Sequence, residues 1–392
     1  MNGLEIAFWI ALGVVFYTYI GYGLVLGILV FVRRRLGQGV RTEPAPDQPF
    51  EPDVTLLVAA YNEEDCILDK VRNTMALDYP REKLHLLFVT DGSTDQTPNL
   101  LRGVPGVTVL HQAARAGKIG AINRAMPLVT TPIVVFSDAN AMLNPGALRA
   151  IVRHYRNPQV GAVAGEKRIH QQAADTADRA GEGLYWRYES TLKRLDSALH
   201  SVVGAAGELF SIRTALFTPV EPDTLLDDFI ISLRIAGRGY RVAYEPDAFA
   251  LENASACIGE ELKRKIRICA GGFQAIVRLR GLLNVRRHGL LSFQYVSHRV
   301  LRWAVTPVLL LLLVPLNLWL VSTSWLYAAL FIGQIVFYAL AAVGWLLKSK
   351  PIRAKWLFAP FYFLLMNGAA FAGFARFITR RQSVLWEKAA RA

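Results

Sequence analysis

Residues 134–143 read VVFSDANAML, a β-branched apolar run that stops at Ser137-Asp138-Ala139-Asn140. Oxygens placed directly after a buried strand have two uses. They can bond the local backbone as a turn, which Asp and Asn do readily, or they can face a cation that carries phosphate. Taken alone, the tetrapeptide reads as the turn. Two further apolar runs end in the same style, the first at Tyr61-Asn62-Glu63-Glu64 and the second at Asp91-Gly92-Ser93-Thr94-Asp95. Each has a local explanation, since Asn62 is placed to cap a helix beginning near Glu63, and Asp91 or Ser93 the next one. Three such endings on one sheet rim shift the reading toward a binding site.

Two more segments carry candidate chemistry. The loop Arg115-Ala116-Gly117-Lys118-Ile119-Gly120 leads into a helix, and a lysine with free amides at a helix start suits an anion. Its spacing is not the Walker pattern, and no dinucleotide GxGxxG follows the first strand. Phosphate hydrolysis and hydride transfer are disfavoured accordingly. Residues 223–246, DTLLDDFIISLRIAGRGYRVAYEP, place Asp227 and Asp228 before a run of helical periodicity that Gly237 and Gly239 end. One acid can cap that helix while the other stays free as a base, its ionised form favoured by the positive helix end.

The elements that must position these groups alternate. Residues 54–60, 84–90, 107–110 and 133–137 read as short buried strands with helical patterns between them, the signature of an α/β fold with a mostly parallel sheet. Ligands of such sheets sit beyond the carboxyl ends of the strands, where the acids and amides fall.

With 392 residues, a net charge of +13 and 53% hydrophobic residues, the chain is too apolar and too basic for an ordinary soluble enzyme. Residues 4–32 are apolar enough to cross a bilayer, and Arg33-Arg34-Arg35 follows, so the amino terminus is expected outside and the α/β domain in the cytoplasm. Residues 301–321 and 325–347 form a second and third span, as a helical hairpin. Residues 357–378 are read as a fourth, with a re-entrant or interfacial helix as the alternative, because a full span would put a basic tail outside. The expected division is an anchor at 1–36, a linker at 37–53, the α/β domain at 54–252, amphipathic interface helices at 253–300, a membrane region at 301–378 and a basic tail at 379–392. The basic excess suits a lipid surface, and no nucleic-acid module accompanies it. Cys66, Cys257 and Cys269 lack ligand spacing and read as reduced thiols. His111, His154, His170, His200, His288 and His298 show no metal spacing and read as surface or loop residues, and Tyr185 and Trp186 as core packing, with a place along an acceptor groove as the alternative.

In this order, AYNEE, DGSTD, GKIGAIN, SDAN, GAAGELFSIR, DDFIISLRIAGRGYRV and RKIRICAGGFQ resemble the family-2 glycosyltransferases of the GT-A fold. The likeness is to the membrane-embedded branch with cellulose, chitin and hyaluronan synthases and bacterial exopolysaccharide transferases. The resemblance implies a Rossmann-like GT-A domain inserted between transmembrane helices of a multi-pass inner-membrane enzyme. It implies that Tyr61, Glu63 and Asp91 hold the nucleoside of a nucleotide sugar, expected to be UDP-linked, with Lys118 close by. Asp138, with Asn140, would meet the diphosphate and a divalent metal, Mg²⁺ or Mn²⁺. Asp228 would be the general base beside Asp227, Arg267 would contact the diphosphate, and Glu208 and Arg264 would shape the acceptor site. Transfer would invert the anomeric centre.

The pattern is altered in places. Asn140 replaces the second acid of DxD, Thr90 the first acid of DDG, and Leu226-Asp227 the Thr-Glu of TED, while Arg264 and Ile268 stand at the Gln and Trp of QxxRW. The expected product is a polysaccharide or surface glycan, with export proteins as further partners. The alternatives are transfer of one sugar to a polyprenyl phosphate or glycolipid, and a non-catalytic scaffold that binds nucleotide sugar.

Overall fold

The computed structural model describes residues 2–37, 50–169, 177–253, 258–347 and 358–385. Most of the 37–53 linker, Cys257, His170 and the end of the tail lie outside the described residues. Eight strands form one sheet: β1 (Val54–Ala60), β2 (Leu84–Asp91), β3 (Val107–Gln112), β4 (Ile133–Asp138), β5 (Met142–Leu143), β6 (Val160–Ile169), β7 (Leu209–Arg213) and β8 (Arg241–Glu252). Their order is β3-β2-β1-β4-β7-β6-β8-β5. The first four are mutually parallel; β7 runs antiparallel to β4 and β6, β8 is parallel to β6, and β5 is antiparallel to β8.

Both faces of this sheet are covered, which explains why its strands read as continuous apolar runs. Along β1, Leu57 and Ala59 enter one core cluster while Leu56, Val58 and Ala60 enter the other. The same two-residue alternation sends Val134 and Phe136 of β4 to the first face and Ile133 and Val135 to the second. Phe136 stacks on its cross-strand partner Phe210 of β7 at 4.6 Å between ring centroids, so the reversed strand is held against β4 by an aromatic pair.

Among the described residues, four helices are long and apolar enough to cross a membrane: Gly3–Arg35, Leu290–Leu320, Trp325–Leu346 and Ala359–Ile378. The second begins at Leu290, so the expected boundary at residue 300 falls inside it. Tyr22, Leu26 and Val30 of the first pack on Leu192 and Leu199 of the Ala177–Leu199 helix, joining anchor to α/β domain. Within that seam Asp196 accepts from Tyr22 Oη at 2.5 Å and meets His298 Nδ1 at 2.6 Å. His298 is fully buried, which corrects its reading as a surface or loop residue.

The fourth apolar helix, long and apolar enough to span as expected, also packs on the α/β side of the molecule. It lies along the Ile258–Arg278 helix: Tyr362 Oη donates to Glu261 Oε1 at 3.2 Å, and Phe273 meets Phe374 at 4.9 Å. A Cβ on Gly373 would stand 2.5 Å from Cys269 Cβ, so the missing side chain is what lets the helices approach. Beyond its end, the Val384 carbonyl comes within 3.5 Å of where a Cβ on Gly117 would lie. The segment after the helix therefore touches the α/β domain.

Candidate active site

At the carboxyl ends of β1 and β4 opens a cavity of about 1520 Å³. Glu63, Lys118, Asp138, Asn140, Glu208, Asp227, Asp228, Arg264 and Arg267, far apart in the chain, all line it. Asp138 is delivered by the end of β4 and Lys118 by the first turn of the Gly117–Ala125 helix, the two bonded at 2.6 Å (Nζ to Oδ1). The same ammonium lies 3.6 Å from Asp227 Oδ2 and 3.4 Å from the Gly207 carbonyl. A Cβ on Gly207 would reach within 3.3 Å of Lys118 Nζ and 3.5 Å of Asp228 Oδ2, so glycine keeps the floor of the cleft open.

Neither acid of the Asp227–Gly237 helix caps it. The cap position is Leu226, without a side-chain bond, which corrects the expected division of labour. Asp227 Oδ2 is buried with no hydrogen-bond partner among the described residues. Asp228 is pushed up to about 7, by burial first and then by the Asp227 carboxylate, against the pull of Lys118. A carboxyl tuned there exchanges a proton near neutrality. Burial likewise raises Asp138, opposed by Lys118. Burial alone would raise Glu208, but Lys167 at 2.5 Å outweighs it and holds this carboxylate ionised. Lys167 also meets Glu252 at 2.6 Å.

Arg264 and Arg267 face the cavity from the Ile258–Arg278 helix. Arg264 is paired with Glu261 at 2.9 Å. Arg267 Nε is buried with no hydrogen-bond partner among the described residues, and its Nη2 reaches only the Leu225 carbonyl, at 3.5 Å. An under-satisfied guanidinium at a cavity wall suits a phosphate.

Two expected donor residues take other roles. Asp91 is fully buried and off the cavity wall. Its carboxylate accepts from the amides of Ala116, at 3.0 Å, and Gly117, at 2.6 Å. The amides read as free for a ligand anion are thus taken by Asp91, which caps the Gly117–Ala125 helix from a neighbouring strand end. Tyr61, also off the wall, stacks under the Arg115 guanidinium at 3.6 Å. Gly92 makes this closure possible: its φ is +67°, and a Cβ there would stand 2.6 Å from Arg115 Cβ. Asn62 does not cap a helix either; its Oδ1 accepts from the Thr94 amide at 2.8 Å and ties the first two rim loops together.

Two side chains, Lys70 and Lys193, escaped the sequence reading, and the weaker of two readings holds for Trp186. Lys70 is fully buried beneath the Ser137–Asn140 turn, donating to Ser137 Oγ at 2.7 Å and to the Ala141 carbonyl. Burial pulls its pKa down to about 7. The available signal was its place at i+3 in the Ile67, Val71, Thr74 stripe. Trp186, read as core, lines the cavity with Lys167, Lys265, Lys193 and Arg264 between 5.3 and 6.0 Å from its ring centroid. Lys193 lines the same cavity on a helix read as merely polar.

For a metal, the chain offers one carboxylate and one amide, Asp138 and Asn140. Among the described residues no group of three or more His, Cys, Asp or Glu is placed to hold an ion. That donor set fits a hard cation that takes its remaining ligands from phosphate and water, not a protein cage.

Comparison with known proteins agrees with this geometry. The model for "Glycosyltransferase like family 2" matches residues 52–303. The poly-beta-1,6-N-acetyl-D-glucosamine synthase of Staphylococcus aureus (strain MSSA476) is 24% identical over 264 residues, 66% of this chain and 63% of that protein, so the chain spans somewhat less than two thirds of that relative. The beta-monoglucosyldiacylglycerol synthase of Synechocystis sp. is 32% identical over 207 residues, 50% of this chain and 42% of that protein. The fold is shared with the mannosyltransferase PcManGT from Pyrobaculum calidifontis, solved with GDP-Man and Mn²⁺, at a TM-score of 0.72, 23% identity, and 97% and 100% coverage of the two chains. With most of the α/β domain inside the matched range, the chain belongs to glycosyltransferase family 2.

Proposed function

We propose that this enzyme is an inverting glycosyltransferase of the inner membrane, its catalytic domain cytoplasmic, that moves a sugar from a UDP-linked donor to a growing polysaccharide or surface glycan. The observation that carries this reading is the convergence of Asp138, Lys118, Asp228 and Arg267 on one cavity. Asp138 and Asn140 would hold Mg²⁺ or Mn²⁺ together with the donor diphosphate, and the cation would supply charge neutralisation there. Lys118 and Arg267 stabilise the diphosphate as negative charge develops on it. Asp228 accepts the proton of the attacking hydroxyl, and a single displacement inverts the anomeric carbon. Glu208, fixed by Lys167, and Arg264 border the acceptor side. Glu63 faces the donor end, while Asp91 and Tyr61 act on the donor through the loop they hold.

A second reading, transfer of one sugar to a lipid, is favoured by the cavity's apolar wall of Phe363, Met366 and Trp303. The glycolipid-forming relative supports it too. Purified protein in lipid nanodiscs, offered a panel of labelled nucleotide sugars with Mn²⁺, tests both. Donor consumption with a polymeric product supports the first reading and a chloroform-soluble product the second. No consumption of any donor refutes the enzyme assignment.

A further inference from the structure

Lys193 is only 5% exposed, lines the shared cavity and makes no hydrogen bond or ion pair with any described residue. What touches it is the Trp186 ring, its centroid 5.9 Å away. An ammonium taken out of water with no bonded counter-charge is disfavoured, and burial draws its pKa down, against the pull of Glu189. The carboxylate one turn before it, Glu189, is already engaged: Arg299 Nη2 lies 2.7 Å and Arg302 Nη1 2.9 Å from it, with His298 Nε2 at 3.3 Å. Arg302 Nε is a second buried donor without a hydrogen-bond partner among the described residues. Two guanidiniums and the Lys193 ammonium thus share one carboxylate, beside the cavity's apolar wall. Lys193 also feels the charges of Glu208 and Asp228, the proposed acceptor-side acid and the base, whereas the cation bonded to Asp138 is Lys118.

We propose that Lys193, backed by Arg299 and Arg302, forms an anion subsite on the acceptor side of the cavity. It takes a phosphate or carboxylate group that the acceptor carries near its attacking hydroxyl. The assignment of this anion to the acceptor rests on the glycosyltransferase reading. Its chemistry is that of a charged oxygen group meeting an unneutralised ammonium, with two guanidiniums reinforcing the field. A lipid phosphate and an acidic sugar both supply it.

The test uses the full-length protein in neutral phosphatidylcholine nanodiscs, titrated separately with undecaprenyl phosphate, with trigalacturonate and with UDP. Lys193→Met and Lys193→Arg are compared with wild type. Lys193→Met removes an unneutralised buried charge, so without ligand it is expected to melt at or above the wild-type temperature. Its affinity for one of the two anions is expected to fall about tenfold or more, with Lys193→Arg retaining part of it and UDP affinity moving far less. Loss confined to undecaprenyl phosphate identifies a lipid phosphate, and loss confined to trigalacturonate an acidic glycan. The proposal is overturned if wild type binds neither anion, if Lys193→Met binds both as wild type does, or if UDP affinity falls equally. A protein that turns over no nucleotide sugar yet shows the Lys193 contrast would sink the functional reading and leave the subsite standing.

Discussion

If Asp228 is the base, the rate must follow its ionisation, and the structure says where and why. Held at about 7, the carboxyl is half ionised at neutrality. One pH unit lower, about a tenth of it is ionised, so turnover should fall about fivefold between pH 7 and about pH 6. Two neighbours set that midpoint in opposite directions, Asp227 raising it and Lys118 lowering it. Asp227→Asn should therefore move the acid limb of kcat to lower pH, whereas Asp228→Asn should abolish the limb and cost about a hundred- to ten-thousand-fold in kcat. The assay is nucleoside diphosphate release at saturating donor across pH 5 to 9. The same shift has a stability consequence. A folded-state pKa above the ordinary 3.8 gives a contribution that is present at low pH and is lost as pH rises through about 7. Asp228→Asn should therefore melt progressively higher than wild type between about pH 4 and pH 7. A flat pH profile, or an Asp227→Asn limb that stays put or moves to higher pH, would refute the reasoning.

Other substitutions probe the parts around the base. Gly92→Ala places a side chain against Arg115 at positive φ, and should cost about 2 kcal/mol in denaturant unfolding while raising the donor KM. Arg267→Ala removes the under-bonded guanidinium from the cavity wall, and should weaken nucleoside diphosphate binding by about ten- to a hundredfold in a direct titration. Lys70→Met withdraws the donor beneath the Ser137–Asn140 turn. Its effect should appear as an Mn²⁺ requirement raised about tenfold in activity titrations, with little change in melting temperature because a buried charge is removed as well.

Much of the site was legible because strand ends announce themselves. The apolar runs of β1 and β4 stop where they meet the cavity, and Glu63 and Asp138 after them lie where a parallel sheet puts ligands. The second half of the sheet was not legible. β6 is built on Val160-Gly161-Ala162-Val163-Ala164-Gly165, too small-residue-rich to mark a strand, and its register with β8 shifts at Gly165. Roles were harder to read than positions, since local rules assign Asp91 to a nearby helix while the fold gives its carboxylate to Ala116 and Gly117 across two strands. Lys193 was hidden, and Trp186 read as core, for a related reason. On the Ala177–Leu199 helix polar and apolar residues mix, and only the packed neighbours show which of them face a cavity.

The central claim is that Asp138, Asp228 and Arg267 enclose one reaction centre, and a cryo-electron microscopy map of the protein with UDP and Mn²⁺ tests it most directly. Density for the diphosphate between Arg267 and a cation at Asp138, with Asp228 open toward the remaining space, is the predicted result. UDP bound elsewhere, with that cavity holding no nucleotide, would contradict it.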